Sequence, residues 1–152
     1  MKGIPAEHFM NLGDRSRVAA TMARAVRLVH EARIYTASMC LIAGYIDAIA
    51  GGDKSKYVAF LEDNFPQLCA ELAETGKPGA LVFYEKFRNG MLHLNSPTLG
   101  YALLEDPEAD GKYVADVRVS GMEMRGINVD RLAKEFIKLA DAIAGDGKPE
   151  GV

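Results

Sequence analysis

Residues 34–51, IYTASMCLIAGYIDAIAG, decide the fold class. The run is apolar almost all round, contains no proline, and is stopped by Gly51-Gly52, the residue type that ends helices. A helix with no polar face is either the centre of a folded domain or a membrane span. Its length is marginal for a span, and Asp47, Thr36, Ser38 and Tyr45 interrupt it. It therefore reads as a buried central helix. Upstream, Val18, Met22, Ala25, Val26 and Val29 recur at helical spacing behind Asp14, a good N-cap. The pattern runs on into the central stretch, as one long helix or two stacked ones.

Working downstream, Lys54–Asn64 is amphipathic, with Tyr57, Val58, Phe60 and Leu61 inward, and ends near Pro66. Gln67–Glu74 reads as a short helix closed by the breaker Thr75-Gly76-Lys77-Pro78-Gly79. Ala80–Leu92 is again helical, and Asn95-Ser96-Pro97 breaks it. The period then changes. Tyr101–Leu104 and Tyr113–Val119 read as two strands of one hairpin around the polar loop Asp106–Lys112, which includes Asp110-Gly111. Asn128 caps a last helix, Val129–Ile143, with Leu132, Phe136, Leu139, Ala140 and Ile143 inward. The expected fold is mainly α: a helical bundle with a small antiparallel β-hairpin and a C-terminal helix. One domain is expected over residues 1–145, with 146–152 as a disordered tail.

Composition narrows the partners. The chain has 152 residues, 49% hydrophobic and 26% charged, ordinary values for a globular protein. A net charge of −3 supplies no broad basic surface, which argues against duplex DNA as a partner. Cys40 and Cys69 stand alone in apolar surroundings with no metal-ligand spacing, so they read as reduced core residues of a cytoplasmic protein. Met1–Pro5 lacks the apolar run of a signal peptide. No metal or cofactor is expected.

The chemistry concentrates in Arg88-Asn89-Gly90-Met91-Leu92-His93. A guanidinium grips phosphate with a fixed fork of donors, and an imidazole moves protons near neutral pH. Asn89 and His93 are four apart and share a helix face, with Arg88 offset by roughly 100°. Gly90 inside a helix costs about 1 kcal/mol relative to alanine, so a close backbone approach or a helix end should offset it. The plain alternative is that Asn89-Gly90 supplies a left-handed C-cap and His93 is an ordinary side chain. Arg24…His30 shows that arginine-to-histidine spacing arises cheaply in this same chain. The polar Asn89 directly after Arg88 is the less common element.

Met39–Ala50 (MCLIAGYIDAIA) followed some forty residues later by Phe83–His93 (FYEKFRNGMLH) resembles the HEPN superfamily, the higher eukaryotes and prokaryotes nucleotide-binding domains. The family pattern is Arg, a polar residue, a short spacer and His, and Arg88, Asn89 and His93 match it with four residues intervening. The resemblance covers roughly Ala32–Leu94. It implies a helical homodimer with the motif helices near the two-fold axis, and a composite cleft holding two Arg/His pairs. It also implies metal-independent cleavage of single-stranded RNA, with an antitoxin or another protein as partner in toxin–antitoxin or defence systems. Arg88 would stabilise the phosphorane, His93 would transfer protons, and Asn89 would orient His93 or bond a phosphate oxygen. A non-catalytic dimer binding a protein or nucleotide is the alternative.

Asp47 is a carboxylate in an apolar helix, costly unless paired. It either holds Arg88 or another donor in place, or it reaches solvent, a tyrosine or a backbone group. Tyr84 and Tyr35 either stack on bases or serve as core residues. His30 reads as core or surface. Lys86, Arg118 and Arg125 are the candidates for a basic rim.

Overall fold

The computed structural model describes residues 12–106 and 111–146. It is mainly helical, with a three-stranded sheet inserted before the last helix. Helix α1 is described from Leu12 to Glu31, so Asp14 lies within the helix and is not its N-cap. Of the two upstream alternatives, two stacked helices is what forms: Arg33 takes a left-handed φ of 58° and breaks the chain before α2, Tyr35–Ala50. On α2, Met39, Ile42, Ala43 and Ile46 are fully buried, as an all-apolar surface requires. Gly51, at φ 103°, closes it by donating to the Asp47 carbonyl.

Asp53 caps α3, Lys54–Asn64, accepting from the Lys56 amide at 3.1 Å. Helix α4 is Pro66–Leu72, with proline at its first position, where the missing N–H costs nothing. Next comes one rod in three pieces: α5, Gly79–Val82; a π-helical segment, Phe83–Arg88; and α6, Asn89–Leu94. Phe83 and Phe87 from the π segment stack at 5.9 Å, and Tyr57 and Tyr101 pack on this pair. This aromatic column is the centre of the core.

The expected pairing of Tyr101–Leu104 with Tyr113–Val119 is not what forms. Strands β1, Tyr101–Leu104, and β2, Val114–Val119, flank a third strand, β3, Met122–Asn128. The hairpin is β2–β3, turning at Ser120-Gly121, both with positive φ, while β1 runs parallel to β3. Four of the expected loop residues, 107–110, lie outside the described residues. Helix α7 runs Val129–Asp146, and Asn128 caps it by accepting from the Arg131 amide at 3.2 Å. It lies along α1, with Leu132, Phe136 and Ala140 fully buried. Gly145 and Asp146 are thus helical; the rest of the expected tail, 147–152, lies outside the described residues. Among the described residues no helix is long and apolar enough to cross a membrane.

Candidate functional site

The motif rod faces α2 and α3 through Arg88. Its Nη2 forms an ion pair with the Asp47 carboxylate of α2, and its Nη1 donates to Asn89 Oδ1 at 2.8 Å. The guanidinium also lies 4.9 Å over the Tyr84 ring, a cation–π contact. Burial works against the charge of Arg88, but the Asp47 carboxylate outweighs it and raises the pKa above the usual arginine value. The side chains of Arg88 and Asp47 keep 16% and 23% of their exposure, so the pair sits at the floor of a surface rather than in the core. Four of the five residues singled out in the sequence therefore meet: Arg88, Asn89, Asp47 and Tyr84.

His93 stands apart. It is exposed, and five residues past Arg88 it points about 140° away around the helix. Among the described residues no side chain hydrogen-bonds to its ring. Asn89 serves Arg88, not His93. Within one protomer the arginine and the histidine are two separate features of one rod.

Gly90 has its reason. The rod continues through Asn89, at φ −65°, so Asn89-Gly90 is not a helix cap. The end comes at Asn95, with a left-handed φ of 53°, after which Ser96–Thr98 folds back along the rod. A Cβ on Gly90 would lie 2.3 Å from the Ser96 carbonyl oxygen. The Thr98 amide then donates to the Lys86 carbonyl, in the π segment, at 2.9 Å. The close approach is made by the chain's own backbone.

Tyr84 is a shelf rather than a free stacking surface. Arg88 lies over its ring, Lys54 Nζ is 5.7 Å from its centroid, and Tyr57 meets it edge-on at 5.2 Å. Tyr57 is fully buried and donates to the Ala43 carbonyl; burial first, then the Asp47 charge, lifts its pKa well above the ordinary tyrosine value. Beside them, Glu85 pairs with Lys77 at 2.7 Å and Lys54 at 3.7 Å.

The basic rim is thinner than the sequence suggests. Arg125 is bound to the end of α4, donating to the carbonyls of Glu71 at 2.7 Å and Leu72 at 3.2 Å. Arg118 is on the hairpin, 3.8 Å from Glu123. Lys86 lies 6.0 Å from the Tyr101 ring. Both cysteines are free, and burial pushes their thiols up, Cys69 to about 11, so both are protonated at neutral pH.

One pair escaped sequence reasoning. His30 Nε2 meets Asp130 Oδ1 at 2.9 Å, with 15% and 6% of the side chains exposed, and Tyr35 lies edge-on to His30 at 5.5 Å. A histidine in the last turn of α1 and an aspartate in the first turn of α7 were the available signal, each at the helix end that favours its charge. Tyr35 belongs to this cluster. Burial first, and then the Asp130 charge, raises its pKa.

Among the described residues no group of three or more His, Cys, Asp or Glu is arranged to hold a metal ion. Comparison with protein-family models, curated proteins and solved structures finds no match to this chain.

Proposed function

We propose that this chain is a metal-independent endoribonuclease of HEPN type that cuts single-stranded RNA in the cytoplasm from a composite site in a homodimer. The observation that carries this reading is the setting of Arg88. A guanidinium fixed by Asp47, Asn89 and Tyr84, yet still 16% exposed, sits on the same rod as an exposed His93. In the reaction the RNA 2′-oxygen attacks the adjacent phosphorus, and the bond from phosphorus to the 5′-oxygen breaks. The products are a 2′,3′-cyclic phosphate and a 5′-hydroxyl. The 2′-hydroxyl loses a proton and the 5′-oxygen gains one. His93 from one protomer takes the first and His93 from its partner gives the second, a general acid/base contribution of roughly 10²–10⁴-fold. The remaining η N–H groups of Arg88 meet the charge that builds on the phosphorane oxygens.

A second reading is favoured by one specific contact. Nη2 of Arg88 is already paired with Asp47. An arginine committed in this way suits a non-catalytic helical dimer that binds a protein partner, such as an antitoxin, or a nucleotide.

The two separate on incubation of the protein with single-stranded RNA in chelator, comparing wild type with His93→Ala and Arg88→Ala. The nuclease reading expects cleavage to cyclic-phosphate ends by wild type and a loss of about 100-fold or more in each variant. Cleavage by all three at one rate, or none by wild type, sinks it.

A further inference from the structure

Around the Tyr84 ring the charges do not balance. Arg88 is matched by Asp47. Glu85 is matched by Lys77, whose Nζ donates to Oε2 at 2.7 Å. That bond, more than any other contact, holds the Glu85 carboxyl below its ordinary pKa. Lys54 is the cation left over. Its Nζ is 3.7 Å from the other oxygen of Glu85, beyond hydrogen-bond reach, and 54% of its side chain is exposed. Asp53, its neighbour in sequence, is bound to the Lys56 amide as the cap of α3. The other lysines at hand are directed elsewhere. Lys56 lies back over Gly51, its Nζ 3.7 Å from where a Cβ there would stand, and Lys86 lies by the Tyr101 ring. In a chain of net charge −3, a surplus positive charge beside Arg88 is a local exception.

Two positive groups share one ring. Arg88 Cζ and Lys54 Nζ stand 4.9 Å and 5.7 Å from the Tyr84 centroid, so at most about 11 Å separates them. Like charges this close repel, and an exposed cation–π contact offsets only about 0.5–1 kcal/mol. Packing does not require the arrangement, because more than half of the lysine is in solvent. It becomes favourable once an anion lies across both groups. The two also differ in kind and depth. Arg88 presents a planar fork from the floor of the surface, and Lys54 a point charge at its rim. A fork beside a point charge suits a run of phosphates: one is held in a fixed orientation, and its neighbour is attracted without regard to its base.

We propose that Lys54 binds the phosphate next to the one at Arg88, so that in each protomer the two residues form a track for a single strand, leading from the α2–rod interface past Tyr84 to the start of α3. The identity of that strand, RNA, rests on the nuclease reading above. Lys54 touches no reacting atom; it is a substrate-binding residue. It supplies the basic rim that Arg118, beside Glu123, and Arg125, bound to the end of α4, do not. A contact of this kind adds affinity and salt dependence and carries no sequence preference.

The test separates binding from cleavage. Wild type, Lys54→Ala, Lys54→Arg and Lys138→Ala are titrated in chelator against a fluorescent 2′-O-methyl oligouridylate of twelve nucleotides, over 50 to 200 mM salt. The probe has no free 2′-hydroxyl, so attack from that oxygen cannot cut it. Lys138 is an exposed lysine of α7, 3.2 Å from Glu135, and its loss changes the net charge as much as the loss of Lys54. Lys54→Ala should bind about three-fold more weakly or worse, with a salt slope shallower by about 0.7, while Lys54→Arg and Lys138→Ala match wild type. On cleavable single-stranded RNA, Lys54→Ala should raise KM and leave kcat unchanged. A Lys54→Ala that binds as Lys138→Ala does, or a wild type that does not bind the probe, overturns the proposal. Binding that depends on Lys54 with no cleavage of RNA by wild type overturns the nuclease reading and leaves the track standing. Cleavage by wild type with no effect of Lys54→Ala overturns the track alone.

Discussion

Asp47 and Arg88, 41 positions apart, pair across the α2–motif interface with both side chains only partly exposed. Removing one member of such a pair leaves its partner uncompensated, which costs 3–5 kcal/mol in a dry interior and far less at a surface. At this exposure Asp47→Ala should destabilise the protein by about 1–2 kcal/mol, with Asp47→Asn milder because its amide oxygen still accepts from the guanidinium. Urea denaturation measures both. Equal midpoints for wild type and Asp47→Ala would show that the pair contributes nothing to folding.

Two helical glycines should respond in opposite directions to alanine. Gly90→Ala drives a methyl into the Ser96 carbonyl, backbone that cannot step aside, and should cost about 1–3 kcal/mol despite alanine's better propensity. Gly44 faces only Leu92 Cδ2 at 3.8 Å, an ordinary contact. Gly44→Ala should therefore stabilise α2 by roughly 0.5–1 kcal/mol. Thermal melts of the two variants on either side of wild type are the expected outcome.

The helices were legible because their signals are local. The all-apolar 34–51 run marked the core, Gly51 its end, and Asn128 the start of α7. The β3 strand was not, because Met122-Glu123-Met124-Arg125 is built of residues that favour helices, and only its pairing with β2, joined by β1 from Arg125 onward, makes it a strand. The Arg88 cluster was half legible. An isolated carboxylate in an apolar helix announces a partner, but which arginine it meets depends on how two rods cross. That Arg125 belongs to the end of α4 is likewise a matter of tertiary placement and left no trace in spacing.

Tyr101 should make the protein sensitive to alkali. Burial first, then its hydrogen bond to Glu74, pushes its pKa up to about 12 from the ordinary 10. A group whose pKa is raised on folding contributes its stability in full below the unfolded value and loses it as pH rises through the folded one. Stability should fall between pH 10 and about 12. Tyr101→Phe should flatten that fall, read from denaturation midpoints at a series of pH values. An unchanged slope in the variant would assign the loss to other groups.

Tyr84 offers a test of whether the shelf beneath Arg88 matters to the proposed chemistry. The ring, not the hydroxyl, faces the guanidinium at 4.9 Å. Tyr84→Phe keeps the ring and should cleave RNA at the wild-type rate. Tyr84→Leu removes the π face, and a cation–π contact of about 0.5–2 kcal/mol corresponds to a loss of roughly 2- to 30-fold. Since Tyr57 also leans on this ring, the rate needs to be compared at a temperature where both variants are fully folded. If Tyr84→Leu, folded, cleaves as fast as wild type, then Arg88 is held by Asp47 and Asn89 alone, and the aromatic shelf is a feature of packing.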